Sequence, residues 1–238
     1  GHADRCRDGR RPMNAEADMV RWTREDLDAW PSRKRARTIN SVSGFKSATL
    51  VGSAGPEGVH NLSVVSSVVH LGSSPAQMGM VLRPPGDDAH TYKNLTATGQ
   101  CTFNHIGVAW VGQAHQCSAR YPAEVSEFEA VGLSPCGVEG TWKAPAVSKA
   151  RVRMGLTLTE DMVLPNRCHF MVLDVQWVEV DARAVAEDGY VDLGRAGTTA
   201  ISGLDGYHDT THLGRFSYAK VGKEVAVLTD VMAGWNDL

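Results

Sequence analysis

From Asn61 to His70 the chain reads Asn-Leu-Ser-Val-Val-Ser-Ser-Val-Val-His, a run of valines and short hydroxyl side chains that favours extended backbone over helix. Alternation along such a strand sends Asn61, Ser63, Val65 and Ser67 to one face and Leu62, Val64 and Ser66 to the other. Hydroxyls and amides at Asn61, Ser63, Ser66 and Ser67 thus interrupt what would otherwise be a uniformly apolar wall. Such a half-polar wall suits a flat heterocycle rich in carbonyl and N–H groups, and it equally suits an edge strand carrying ordinary surface serines.

Similar β-rich runs recur at Ser47–Ser53, Val59–Leu71, Gln77–Leu82, Gln100–Ile106, Ala150–Leu158, Phe170–Val180 and Thr199–Ser202. The short turn Ala54-Gly-Pro-Glu-Gly58 between two of them is a hairpin signal. Helical spacing is confined to short pieces: one capped by Thr23 and stopped by Pro31, one over Asp88–Thr98 ending at Gly99, and one over Tyr121–Val131 ending at Gly132. Many short strands with few small helices predict a mainly β chain, a barrel with peripheral helices. The strand-then-long-helix alternation of a doubly wound fold is absent. Residues 21–238 read as a single domain, and the polar, Arg-rich first 20 residues read as a flexible tail. The basic run Ser32-Arg-Lys-Arg-Ala-Arg37 reads either as a solvated helix end or as an anion contact.

A formal net charge of -3 over 238 residues argues against general binding to nucleic acid or a membrane surface. No apolar run is long enough to span a bilayer. Five cysteines without a C-x-x-C pair suggest free thiols in a reducing cytoplasm rather than a disulfide framework or zinc ribbon. The dinucleotide turn, the P-loop and the nucleophile elbow all lack their motifs. His208 and His212 have a spacing that could share a metal on a helix, but two threonines and flanking glycines disfavour helix there, and no metal is expected.

Arg83 ends a β-rich run just before Pro84-Pro85, a rigid corner from which a guanidinium could reach a phosphate. Thr91 and Asn94 lie near the start of the following helix, where free backbone N–H groups favour an anion. At this point the order of motifs becomes informative. Asn40-Ser-Val-Ser-Gly-Phe-Lys46, Asn61-Leu62, Ser66-Ser-Val-Val-His70, Leu82-Arg-Pro84, Thr91-Tyr-Lys-Asn94, Thr98-Gly99, Phe103-Asn-His105, Ala114-His-Gln-Cys-Ser-Ala119, Val125-Ser-Glu-Phe-Glu-Ala130 and Ser202-Gly-Leu-Asp-Gly-Tyr207 together resemble the flavin reductase-like, FMN-binding split-barrel family over residues 35 to 220.

That resemblance implies a six-stranded antiparallel Greek-key split barrel that forms a homodimer and holds FMN near the subunit interface. It implies that Asn61, Ser63, Ser66, Ser67 and Val68 line the isoalloxazine and ribityl chain, and that Arg83, Thr91 and Asn94 serve the phosphate end. Asn104, His105 and His115 are implied pocket-rim residues, the two histidines being weaker candidates for catalysis. The implied activity is hydride transfer from NAD(P)H to flavin, which then serves a partner monooxygenase or reduces a bound small molecule. A non-catalytic FMN-binding protein, or a split-barrel enzyme with another cofactor, is the alternative. His90 departs from the family pattern, where an acidic residue is expected. The segment Gly107–Pro145 and residues 203–215 read either as a lid over the site or as packing around the dimer interface.

Overall fold

The computed structural model describes residues 19–225; the expected tail therefore lies, but for its last two residues, outside the described residues. Helix α1 is Arg24–Ala29, with Thr23 as its cap: the Thr23 hydroxyl accepts the Asp26 amide while the Asp26 carboxylate takes the Thr23 amide, a reciprocal capping box. Pro31 both ends this segment and opens α2, Ser32–Val42. The basic run is thus the beginning of a helix rather than its end.

The strands are β1 (Lys46–Ser47), β2 (Thr49–Ala54), β3 (His60–Val65), β4 (Val68–Ser73), β5 (Ala76–Leu82), β6 (Gln100–His105), β7 (Pro135–Cys136), β8 (Ala146–Val147), β9 (Val152–Val163), β10 (His169–Val180), β11 (Ala200–Ser202) and β12 (Gly206–His208). Between them lie α3 (His90–Thr98), α4 (Val111–Gln116) and α5 (Glu127–Val131). Both expected glycine stops hold: Gly99 and Gly132 end α3 and α5 at φ 72° and 70°, a conformation that costs glycine little. The expected helix over Tyr121–Val131 is only its last turn, α5, and α4 was not foreseen.

Seven strands form one antiparallel sheet in the order β3-β2-β6-β9-β10-β5-β4. The run expected to be a single strand from Asn61 to His70 breaks at Ser66-Ser67, and its halves occupy opposite ends of that order. Val65 and Val68 are nevertheless only three backbone steps apart, a reach of at most about 11 Å. The sheet must therefore curl until its two edges nearly meet, with Ser66-Ser67 at the seam. Counted as one bent strand, the two halves reduce seven strands to the six of a barrel.

The inner face of this barrel buries Val51, Val65, Met80, Leu95, Cys101, Phe103, Met154, Leu156, Met171 and Leu173. A second core lies outside it, where Leu50 and Leu62, on the opposite face of β2 and β3, meet Trp110, Ala114, Cys117, Phe128, Leu133 and Val147. The segment Gly107–Pro145 thus packs on the barrel's outer wall. A Cβ on Gly52 would stand 2.0 Å from the Pro145 carbonyl oxygen, so this contact between wall and segment requires glycine. Among the described residues no helix is long and apolar enough to cross a membrane.

Candidate functional site

Helix α3 closes one end of the barrel, and most of the polar residues singled out in the sequence meet there. Asn61 Nδ2 donates to Thr91 Oγ1 at 3.0 Å, and the Ser63 and Thr91 hydroxyls share a hydrogen bond of 2.7 Å. Asn94 Nδ2 donates to Ser53 Oγ at 3.2 Å. These residues alternate as expected along β3, with Asn61, Ser63 and Val65 facing inward. Their side chains bond to one another and fasten the helix to β2 and β3.

A cleft of about 210 Å³ opens beside this network, lined by Gly55, Pro56, Asn61, His90, Asn94 and Val125 among others. It is smaller than the roughly 300–1,000 Å³ of ordinary ligand pockets. Ala123 and Val125 are what Gly107–Pro145 contributes to it.

The other candidates around β4 and β5 differ in what they meet among the described residues. Ser66 lies at the seam between the strand halves; neither its backbone nor its hydroxyl has a partner among the described residues. Ser67 is engaged with β5, its hydroxyl donating to the Val81 carbonyl at 2.7 Å and its carbonyl accepting the Val81 amide. Val68 packs against the inner core. Arg83 is exposed just beyond β5, and its guanidinium meets no acceptor among the described residues.

The start of α3 supplies further free donors. Unlike α1, it has no side-chain cap, because Ala89 occupies the cap position. The amides of Thr91 and Tyr92 find no acceptor among the described residues, leaving the positive end of the helix open. Leu82 pairs with His169 in the β5–β10 ladder, and the Tyr92 and His169 rings lie 4.7 Å apart, edge to face. The first turn of α3 and the strand end carrying Arg83 are therefore held against the same residue.

The remaining candidates occupy other places. Asn104 is fully buried on the barrel's outer face, donating to the Leu50 carbonyl and the Thr102 hydroxyl and accepting the Val147 amide at 2.8 Å. Its role in the structure is to tie β8 to the barrel. His105 continues the inward row of Cys101 and Phe103, level with Thr49 and Val65, and burial pushes its imidazole pKa down to about 4. His115, on α4, meets the Tyr207 hydroxyl at 3.1 Å. His208 bonds Ser202 at 2.7 Å and His212 bonds Asp192 at 2.9 Å, so each of these two imidazoles has its own partner.

Sequence reading missed Glu127. This buried residue opens α5, and its Oε2 accepts the Leu62 amide at 2.9 Å; desolvation raises its pKa, outweighing the lowering effect of that hydrogen bond. The motif Val125-Ser-Glu-Phe-Glu-Ala130 contains it, but nothing local distinguishes it from the exposed Glu129.

The model of the flavin reductase like domain matches residues 42–196. The chain belongs to this flavin reductase-like family. A split-barrel protein from Shewanella frigidimarina, assigned as a flavin reductase, is 44% identical, with 84% of this chain and 100% of that one aligned at a TM-score of 0.80. Nitrilotriacetate monooxygenase component B from Bacillus cereus (16% identity, 84% and 100% coverage, TM-score 0.73) and 2-nitrobenzoate 2-nitroreductase from Pseudomonas fluorescens (18%, 83% and 96%, 0.70) share the fold. No curated protein matches the sequence. For a flavin reductase-like chain the free donors fit the group expected there: a phosphate needs N–H and guanidinium donors, and a flavin edge needs short hydroxyl and backbone partners.

Proposed function

We propose that this protein binds FMN and uses it to take hydride from NAD(P)H, acting as a flavin oxidoreductase. The observation that carries this reading is that Arg83 and the Thr91 and Tyr92 amides, all without a partner among the described residues, belong to two elements that both meet His169. Arg83 and these amides would hold the phosphate, and Ser66, with the backbone of Ser67 and Val68 at the seam, would face the ring system. Asn61, Ser63, Thr91 and Asn94 would act one step back, fixing α3 so that its amides stay aimed at the phosphate. When bound, the flavin supplies the two-electron chemistry, and the protein supplies orientation and electrostatics.

None of these donors lines the cleft, and Arg83 is exposed, so a second wall is needed to shield a flavin ring from water. The exposed Val69 and Leu71 on the edge strand β4 support a homodimer as the source of that wall. Relatives with this fold include a monooxygenase component and a nitroreductase, which supports two uses for the electrons: a partner monooxygenase supplied with reduced flavin, or a bound small molecule reduced in place. Gel filtration of the FMN-loaded protein separates these, since a flavin that serves a partner elutes apart and one that works in place co-elutes. Steady-state oxidation of NADH and NADPH with added FMN tests the activity. Tight flavin binding with no turnover of either nicotinamide would overturn the reductase reading.

A further inference from the structure

The Tyr92 hydroxyl donates to Asp161 Oδ2 at 2.9 Å, and His169 Nδ1 lies 2.6 Å from Asp161 Oδ1. One carboxylate on β9 therefore grips both the first turn of α3 and the first residue of β10. The grip is well shielded, with side-chain exposures of 13% for His169 and 23% for Asp161, so solvent competes weakly for these bonds. The bond to a carboxylate also keeps the Tyr92 hydroxyl protonated, raising its pKa.

The position of this grip gives it a use. His169 is the ladder partner of Leu82, the last strand residue before Arg83. Tyr92 carries one of the two amides at the start of α3 that meet no acceptor among the described residues. Asp161 thus ties the start of α3 to His169, the residue paired with the strand end before Arg83, although it belongs to neither α3 nor β5. We propose that Asp161 is a positioning residue for the phosphate end of the flavin site, holding the α3 amides and Arg83 at the spacing one phosphate requires. This rests on the flavin reading above.

Severing the link should displace α3 relative to Arg83 and weaken phosphate recognition while the ring site at the seam keeps its form. The test uses the full chain, with FMN and riboflavin titrated separately by quenching of flavin fluorescence, and with thermal unfolding followed in parallel. Riboflavin lacks only the phosphate, so the ratio of the two affinities isolates that end. Asp161→Ala removes both bonds, and Tyr92→Phe removes only the bond to α3 while keeping the ring against His169. Both variants should lose about tenfold in FMN affinity, the cost of one misplaced charged hydrogen bond, with riboflavin affinity changed less than about twofold. If the wild-type protein prefers FMN and either variant keeps that preference in full, the positioning role fails while the flavin reading stands. If both flavins weaken in parallel with a lower melting temperature, Asp161 is structural only, and the proposal is again overturned. If the wild-type protein binds neither flavin, or both equally, the phosphate-end reading itself falls and this inference with it.

Discussion

Glu127 Oε2 accepts the amide of Leu62 at 2.9 Å across 65 residues of sequence, placing a buried carboxylate on the open edge of β3. That edge has no neighbouring strand beyond it in the sheet order, and an unpaired amide there would be costly once Phe128 and α5 exclude water. The helix therefore covers the edge and satisfies it at once.

Two substitutions separate the charge of Glu127 from its bond. Glu127→Ala strands the Leu62 amide and should cost about 1–3 kcal/mol, seen as a lower urea midpoint. Glu127→Gln keeps an acceptor oxygen and should change stability at neutral pH by less than about 1 kcal/mol. The pKa of Glu127 is raised in the fold, so the folded state binds this proton more tightly than the unfolded state. The wild type should consequently lose stability from this group as pH rises from the ordinary carboxylate value up to the raised one. Glu127→Gln should lack that component, and an identical pH profile in the two proteins would refute the assignment.

His105 has the opposite sign. Its pKa falls to about 4 in the fold, so the unfolded chain takes up the proton first. Stability is fully present above the unfolded value near 6.5, and it drains away as pH drops toward 4, by up to about 3 kcal/mol. His105→Leu should flatten this acid limb whatever its cost at neutral pH. Urea titrations at pH 7 and pH 4.5 give the comparison, and an unchanged difference between the two pH values would show that His105 is not responsible.

Arg83 is assigned to the phosphate, so Arg83→Ala should weaken FMN by about ten- to a hundredfold, the loss of a charge-assisted bond. Riboflavin binding and the melting temperature should stay where they were, because the guanidinium is exposed and has no partner among the described residues. Equal weakening of FMN and riboflavin would remove Arg83 from the phosphate end.

Thiol labelling offers a check on the two cores. Cys101 lies fully buried inside the barrel and Cys117 is buried in the outer core; burial raises both thiols, Cys117 to about 12. Neither should react with iodoacetamide at pH 8 in the native protein, whereas both should react after unfolding. Peptide mapping by mass spectrometry would show rapid native labelling at either site if the packing were otherwise.

Gly52→Ala probes the join between barrel and outer segment. Its added methyl would collide with the Pro145 carbonyl, which is backbone and cannot rotate aside. A loss of about 1–3 kcal/mol is expected, read as a fall in melting temperature.

Much of this protein was legible in the sequence because the signals were local. The Thr23 cap, the glycines after α3 and α5, the alternation of Asn61, Ser63 and Val65, and the family's order of motifs all act over a few residues or in plain succession. They determined a mainly β split barrel and drew attention to the end of it that α3 closes. Only the tertiary structure decided where the long strand breaks and which polar groups remain available. Asn61 finds Thr91 across 30 residues, and Val147 finds Asn104 across 43, so a polar side chain that looks ready for a ligand can be consumed by a distant neighbour. Conversely, Ser66, Arg83 and the amides at the start of α3 have no partner among the described residues, because they lie at the seam of the barrel, beyond a strand end and at an uncapped helix start. Whether a hydrogen-bonding group is structural or functional depends on what folding brings opposite it, and no local pattern records that.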